Sequence, residues 1–404
     1  GKIKMTDEEL FSVSESYGTP TFVFDIRKLA DRMHSISEIT GSAVNLCYSI
    51  KANPFLIPAM LTLVKKLEAC SPGELDICKT LGVDPQKIVY SGVNKTLSNI
   101  EDAMNFGVGI FTAESLLHVS LINQAALERC IKVPLLLRLT SGNQFGMSEA
   151  DLRSVIQNRD SYKGIEIKGI HYFAGTQRKK LQHQKYELKM LRDFFDSVKK
   201  EYGFTLEQLE YGPGLPVPYF EGEDFERSLE PIKELNEALQ EVSEWAHLTV
   251  EMGRFFVSSC GFYLTKVMDQ KSNGNLRYCI LDGGINHLNY YGQMMGMKIP
   301  VIRHLKNADS SSNRKENDKN PVSLFGSLCT TADVISKNVP LSCPENGDVL
   351  AFENTGAYSV TEGIALFLSR TMPRIILYYD KNDVRLARDF IESSLFNTVE
   401  KSAR

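Results

Sequence analysis

The sequence predicts an α/β protein, a (β/α)8 TIM-like barrel followed by an all-β domain. Three observations predict it. Short apolar, often β-branched runs alternate eight times with amphipathic stretches between residues 43 and 253. Parallel strands need crossover connections, and eight such units suit a closed barrel, with an open doubly wound sheet as the alternative. Beyond Phe255 the rhythm changes to short strand-like runs separated by turn residues.

Taken in order, the barrel strands are expected at 43–50, 67–70, 88–92, 109–113, 134–140, 169–175, 206–213 and 248–253. Helices are expected between them, among others at 54–67, 98–107 and 185–203. The barrel is drawn over 26–254. Residues 1–25 and 255–404 form the β-domain, to which the strand-like TFVFD (21–25) contributes and which a helix over DVRLARDFIESSLFNTVEK closes. The polar, low-complexity stretch 306–320 reads as a mobile loop.

Composition narrows the function. With 46 Lys and Arg against 50 Asp and Glu, no basic excess exists to neutralise a nucleic-acid backbone. No apolar run approaches the roughly 18 residues of a membrane span. The eight cysteines include no CxxC pair, which gives zinc or thioredoxin chemistry little support, and no metal is expected. The acidic start lacks the apolar core of a signal peptide, and a reducing cytoplasm is the expected compartment.

Barrel chemistry sits at the C-terminal ends of the strands. Those ends carry Lys51, Glu68 to Ser71, Arg138, Phe173, Thr176, Gly212 and Gly214, and Glu251 with Gly253 and Arg254. Singly, each has a plain reading: a lysine reaching solvent, a strand-to-helix turn, an ion pair. Together they supply an amine, glycines whose N–H groups can face a phosphate, and a carboxylate on one face, the parts of a pyridoxal phosphate (PLP) site.

The motifs SIKANP (49–54), SPGEL (71–75), FAGTQ (173–177), EYGPGLPVPYF (210–220), EMGRF (251–255), LDGGINHL (281–288), SLCTTAD (327–333) and NTGAYS (354–359) follow one another. In this order the chain resembles the fold-type III PLP-dependent decarboxylases, which include the diaminopimelate and ornithine decarboxylases and share the alanine racemase-like fold. FAGTQ, the PYF ending and DGGINH resemble most the branch acting on carrier-protein-linked amino acids, such as the L-glutamyl carrier-protein decarboxylase of butirosin biosynthesis.

The resemblance implies residue roles. Lys51 matches the lysine that holds PLP covalently, and Glu251 the carboxylate facing the pyridine nitrogen. Thr176, Gly212, Gly214, Gly253, Arg254 and Tyr358 match the phosphate side. Cys329 matches a proton donor that reaches the site from the partner subunit, which implies a homodimer with shared sites. Arg138, Thr330 and Tyr290 are the substrate-side candidates.

Departures from the family pattern are informative. Phe173 stands where a histidine usually stacks on the ring, with His171 one step deeper on the same face. Pro213 removes one N–H from the usual glycine triplet. Thr330 replaces the acid that binds a distal ammonium, and Tyr290 the arginine that binds a distal carboxylate. The resemblance therefore implies α-decarboxylation of an amino acid whose side-chain end is neutral, acylated or carrier-linked. The alternatives are an amino-acid racemase, a decarboxylase of free diamino acids, and a non-catalytic homologue.

Overall fold

The computed structural model describes residues 3–305 and 321–404. The expected mobile loop at 306–320 lies outside the described residues. The chain divides into two compact units: Arg32–Val217 with Glu226–Phe256, and Gly1–Asp31 with Pro218–Phe225 and Val257–Arg404.

In chain order the strands begin with β1 (Thr21–Asp25), which belongs to the second unit. The eight barrel strands follow: β2 (Val44–Ser49), β3 (Lys66–Ala69), β4 (Ile88–Tyr90), β5 (Ile110–Ala113), β6 (Val133–Arg138), β7 (Ile165–Phe173), β8 (Gln208–Gly212) and β9 (His247–Met252). They close in sequence order, β9 pairing in parallel with β2 from Val44↔Leu248 to Tyr48↔Met252. Closure leaves no edge, so most strand residues are buried, and strands such as β2 and β6 read as largely apolar runs. Cys47, Val89, Ile110 and Leu136 form one cluster of buried side chains in this unit. The helix expected over 54–67 is shorter, a 3-10 turn at Pro54–Leu56 and one α-turn at Ile57–Met60, because Lys65 already bonds to the Leu46 carbonyl and Lys66 opens β3.

The other unit is built on β10 (Gly261–Asn273), β11 (Leu276–Leu281), β12 (Ile302–Leu305), β13 (Val322–Phe325), β14 (Val334–Val339), β15 (Val349–Glu353), β16 (Arg374–Asp380) and β17 (Asp383–Arg388). The sheet path runs β14-β13-β11-β10-β1-β16-β17, with β15 beside β10 and β12 beside β15. TFVFD is thus a central strand, antiparallel to β10 and parallel to β16. Gly274, in the left-handed region, turns β10 into β11. Val23, Phe262, Leu264 and Ile376 pack with Leu10 and Val13 of the helix Asp7–Tyr17.

Two local outcomes were not evident from the sequence. The expected closing helix is not formed: Asp383–Arg388 is the edge strand β17, followed by 3-10 turns at Ser393–Asn397 and Lys401–Ala403. VRLAR favours a helix locally, but pairing with β16 after a tight turn at Asp380–Asp383 overrides that weak preference. Pro218–Phe225 groups with the β unit because Phe220 bridges Pro300 and Glu221 N–H donates to the Ile299 carbonyl at 2.9 Å.

Candidate active site

Lys51 lies in a 3-10 turn, Ile50–Ala52, directly after β2. The motif around it sets that turn. The buried Tyr48 hydroxyl donates to the Asn53 carbonyl at 2.6 Å, and Asn53 Oδ1 accepts from Phe55 N–H. Pro54 then opens the next turn, where no N–H is required. Lys51 Nζ stands 5.7 Å from the centre of the Phe173 ring. The amine and the aromatic face, distant in sequence, meet at one end of the barrel.

Phe173 ends β7 beside Gly212 of β8. A Cβ on Gly212 would lie 2.5 Å from Phe173 Cδ2, so this glycine makes room for the ring. Gly214 has φ +60, and a Cβ there would lie 1.8 Å from the Gly175 carbonyl oxygen. The two turns that carry FAGTQ and GPG therefore touch backbone to backbone. Side chains lock them further: Gln177 exchanges two bonds with Val217, and Arg178 N–H donates to the Gly214 carbonyl. Pro213 gives no N–H, yet its carbonyl accepts from Arg178 at 3.0 Å and Gln184 at 2.9 Å. Arg178 forks onto Glu187 at 2.7 and 2.9 Å, and Tyr211 OH donates to the same carboxylate. Arg254, which follows β9, donates from Nε to Thr176 Oγ1 at 3.2 Å. Thr176, Gly212, Gly214 and Arg254 are thus gathered by one network. Gly253 lies against the lysine turn, where a Cβ on it would come within 2.8 Å of Ala52 Cβ.

SPGEL shapes the end of β3. Ser71 Oγ caps the helix Pro72–Thr80 by accepting from Glu74 N–H, and Glu74 returns a carboxylate oxygen to Cys70 N–H at 2.7 Å.

Deeper in the barrel lies a group the sequence did not announce as a unit. Glu68, His171, Glu210 and Glu251 are all buried, and a ligand-type atom from each falls within 4.8 Å of the others. The strand register builds this level: His171 sits opposite Glu210, Cys47 opposite Glu251, and Ser49 opposite Glu68. His171 Nε2 is 3.1 Å from Glu251 Oε2 and 3.9 Å from Glu68 Oε2. Burial, then the nearby Arg138 charge, depress the His171 pKa to about 4, so the imidazole is neutral at neutral pH. Burial first, then the Glu251 charge, push Glu68 up to about 7 and Glu210 well above the ordinary carboxylate range. Each ionised pair at this separation costs roughly 3–4 kcal/mol at an effective dielectric of about 20. Three full negative charges are therefore not sustained here.

Arg138 ends β6 opposite His171, but its guanidinium pairs with buried Glu114 at 3.3 Å and lies over Phe145. Beside it Lys95, also buried, donates to the Gly92 carbonyl, and burial lowers its pKa to about 8. Lys95, Glu114 and Glu210 were missed in the sequence. The available signal was a charged residue inside or just after an apolar barrel strand.

The remaining candidates lie in the β unit. Cys329 and Thr330 occupy the exposed turn between β13 and β14, where Thr330 Oγ1 accepts from Ala332 N–H. Buried Asp333 holds this turn by accepting from Leu328 N–H and from Ile285 N–H of DGGINH. Tyr358 has φ +66, an unusual conformation for a residue with a side chain. Tyr290 is buried against Tyr219 and Phe220, and its hydroxyl donates to the Glu353 carbonyl at 2.6 Å. Its hydroxyl proton is engaged by the backbone, so toward a ligand Tyr290 offers its ring and an acceptor oxygen. A cavity of about 260 Å³ in this unit is lined by Leu288, Tyr290, Met295, Ala332, Val334 and Glu362, among others.

The family model for the pyridoxal binding domain of pyridoxal-dependent decarboxylases matches residues 26–258, more than half of the chain. The chain belongs to the pyridoxal-dependent decarboxylases. Its relatives include the diaminopimelate decarboxylase of Aquifex aeolicus, 25% identical over 381 residues that cover 89% of this chain and 86% of the relative. The L-glutamyl-[BtrI acyl-carrier protein] decarboxylase of Niallia circulans is 25% identical over 398 residues, covering 93% and 92%. In fold the decarboxylase is similar to the Methanocaldococcus jannaschii diaminopimelate decarboxylase solved with L-lysine. That likeness has a TM-score of 0.83 at 24% identity and covers 97% and 95% of the two chains. Among the described residues of this decarboxylase, no helix is long and apolar enough to cross a membrane.

PLP is the cofactor of this family, and the residues present suit it. Glu251 Oε2 is buried, and His171 Nε2 at 3.1 Å is not aligned to bond it, so the oxygen can still accept a cationic N–H. The tight Gly212–Gly214 turn has no room for side chains, and Thr176 and Arg254 beside it bring a hydroxyl and a guanidinium, groups of the kind that bind phosphate.

Proposed function

We propose that this decarboxylase removes the α-carboxylate of an amino acid whose side-chain end is neutral, acylated or carrier-linked. The observation that carries the reading is Thr330. It offers a hydroxyl, already engaged in its own turn, where a free diamino acid would require a buried acid. The likeness to the carrier-protein decarboxylase of Niallia circulans supports it. A second reading, decarboxylation of free diaminopimelate, is favoured by the name most of the relatives carry.

In either reading PLP, when bound, draws off the electron pair left as CO2 departs. Lys51 Nζ holds the cofactor. Phe173 offers a ring face that stacks but carries no charge. Thr176, Gly212, Gly214, Gly253, Arg254 and Tyr358 serve the phosphate, and Glu251 keeps the ring nitrogen charged. Arg138 braces the barrel mouth through Glu114. Cys329 Sγ delivers the proton to the α-carbon from the partner of a homodimer. The exposed apolar side chains of the β unit, Met294, Met297, Leu366 and Phe367 among them, suit such a partner face. The compartment we propose is the cytoplasm, in keeping with cysteines that form no disulfides.

Comparing kcat/KM for free lysine, meso-diaminopimelate and a carrier-linked or thioester-capped acidic amino acid tests the substrate. The capped substrate should win by about two orders of magnitude or more, the discrimination that an unpaired buried charge supports. Turnover of a free diamino acid at or above about 10⁴ M⁻¹s⁻¹ sinks the reading. Glu362, bordering the cavity, would then be the first acid to examine.

The shared site has its own check. Lys51→Ala and Cys329→Ala chains, each inactive alone, should recover about a quarter of wild-type activity after verified subunit exchange. That figure follows if half the molecules are mixed dimers and each holds one intact site. No recovery counts against Cys329 acting across a dimer.

A further inference from the structure

The buried carboxylates beneath the cofactor site raise a question of protons. Glu68 has donors of its own, Ser49 Oγ at 3.2 Å and Cys70 Sγ at 3.3 Å. Glu210 is 1% exposed, yet neither carboxylate oxygen meets a donor, and Glu251 Oε2 is equally unprovided. Both ring nitrogens of His171 also lack an aligned partner. Two acceptors facing each other without a hydrogen are satisfied together by one proton placed between them.

We propose that Glu210 is held as a neutral carboxylic acid whose O–H donates to Glu251, so that the buried glutamates carry less than their formal charge. Glu210 is then a positioning residue. It orients the Glu251 carboxylate and, by donating to it, makes it a weaker base, one that pairs with a protonated ring nitrogen instead of removing its proton. The inference rests on the reading of Glu251 above for its consequence, but not for its test, which needs neither cofactor nor substrate.

The groups facing this pair come from every side: Glu68 and Lys66 on β3, Cys47 on β2, His171 on β7, with Lys51 and Arg138 at the strand ends. Burial of Glu210 and the neighbouring carboxylates favours its protonated form, which Lys66 opposes. The sign of the linkage follows. A carboxyl protonated in the folded state and ionised in the unfolded state contributes stability below the unfolded pKa that is lost as pH rises toward the folded one. His171, buried neutral, runs the other way at acid pH, so variant must be compared with wild type at each pH.

The experiment is infrared spectroscopy of the cofactor-free protein at mildly alkaline pH, above the value of about 7 at which Glu68 gives up its proton, with glutamate carboxyls isotope-labelled. Wild type should show a carboxylic-acid C=O stretch, retained in Glu68→Gln and lost in Glu210→Gln. Chemical unfolding from mildly acidic to mildly alkaline pH gives a second readout. As pH rises, the unfolding equilibrium constant of Glu210→Gln relative to that of wild type should fall by up to tenfold per pH unit, one proton's worth. Absence of the band in wild type overturns the proposal, and that result needs no variant to fold. A band that survives Glu210→Gln, or a pH dependence identical in the two proteins, overturns it as well. So does a stoichiometric divalent metal in the purified protein whose removal brings the band into view. If the band behaves as expected while the substrate panel fails, the substrate reading falls and this one stands.

Discussion

Lys51→Ala should abolish turnover, lowering kcat by about 10³-fold or more, the scale on which a positioned covalent and acid–base amine acts. Its unfolding midpoint without cofactor should stay close to that of wild type. Lys51 is exposed on a turn fixed by Tyr48 and Asn53, so truncating it opens no core cavity. The visible absorbance of lysine-bound PLP should vanish from the variant. Borohydride treatment of wild type should place the fixed label on the peptide that carries Lys51; a label elsewhere refutes the assignment. A stable, well-folded variant without that absorbance separates loss of the amine from loss of the barrel.

Glu251→Gln should lower kcat by about 10²–10³-fold, the usual cost of removing one preorganised charge where charge develops. Stability should move the opposite way. The substitution removes a negative charge from a buried level that already holds Glu68, Glu210 and a neutral His171. The cofactor-free variant should unfold at a higher denaturant concentration than wild type. Paired steady-state kinetics and urea titrations check both signs. A kcat within a factor of two of wild type would remove Glu251 from the chemistry, and a destabilised variant would mean that His171 and its neighbours depend on the negative charge. Such opposition between stability and activity is expected where a site is built from groups that repel one another.

The barrel was legible because its signal is one-dimensional. Runs such as VNLCYS and LLLR are buried on both faces and stay apolar whatever their partners. The chain's last segment was not, because β17 is an edge strand with exposed side chains, and its pairing with β16 is a tertiary fact that VRLAR does not encode locally. In the site, Lys51 and Glu251 stood out because each breaks the apolar pattern at a strand end, whereas Phe173 stood out only against the family the chain resembles, which carries a histidine there. Glu210 lies inside its strand, and only the closed barrel shows that it meets ionisable groups from three other strands. Tyr290 shows a different limit: its place in the motif order marks it as substrate-side, but only the structure shows that its hydroxyl is committed to the Glu353 backbone.

The carbonyl of Pro213 has a consequence for how the cofactor is received. A glycine in that position would bring an N–H and also a floppy backbone, which must be immobilised when the phosphate arrives. Here the ring of Pro213 fixes φ, and Arg178 and Gln184 anchor its carbonyl to the helix Gln182–Tyr202. The loop exchanges one donor for rigidity. Less conformational entropy remains to be surrendered on binding, so affinity lost in enthalpy is recovered in part through order that exists beforehand. The helix thereby becomes a remote determinant of cofactor retention, since Glu187, which holds Arg178 in place, lies well outside the catalytic groups.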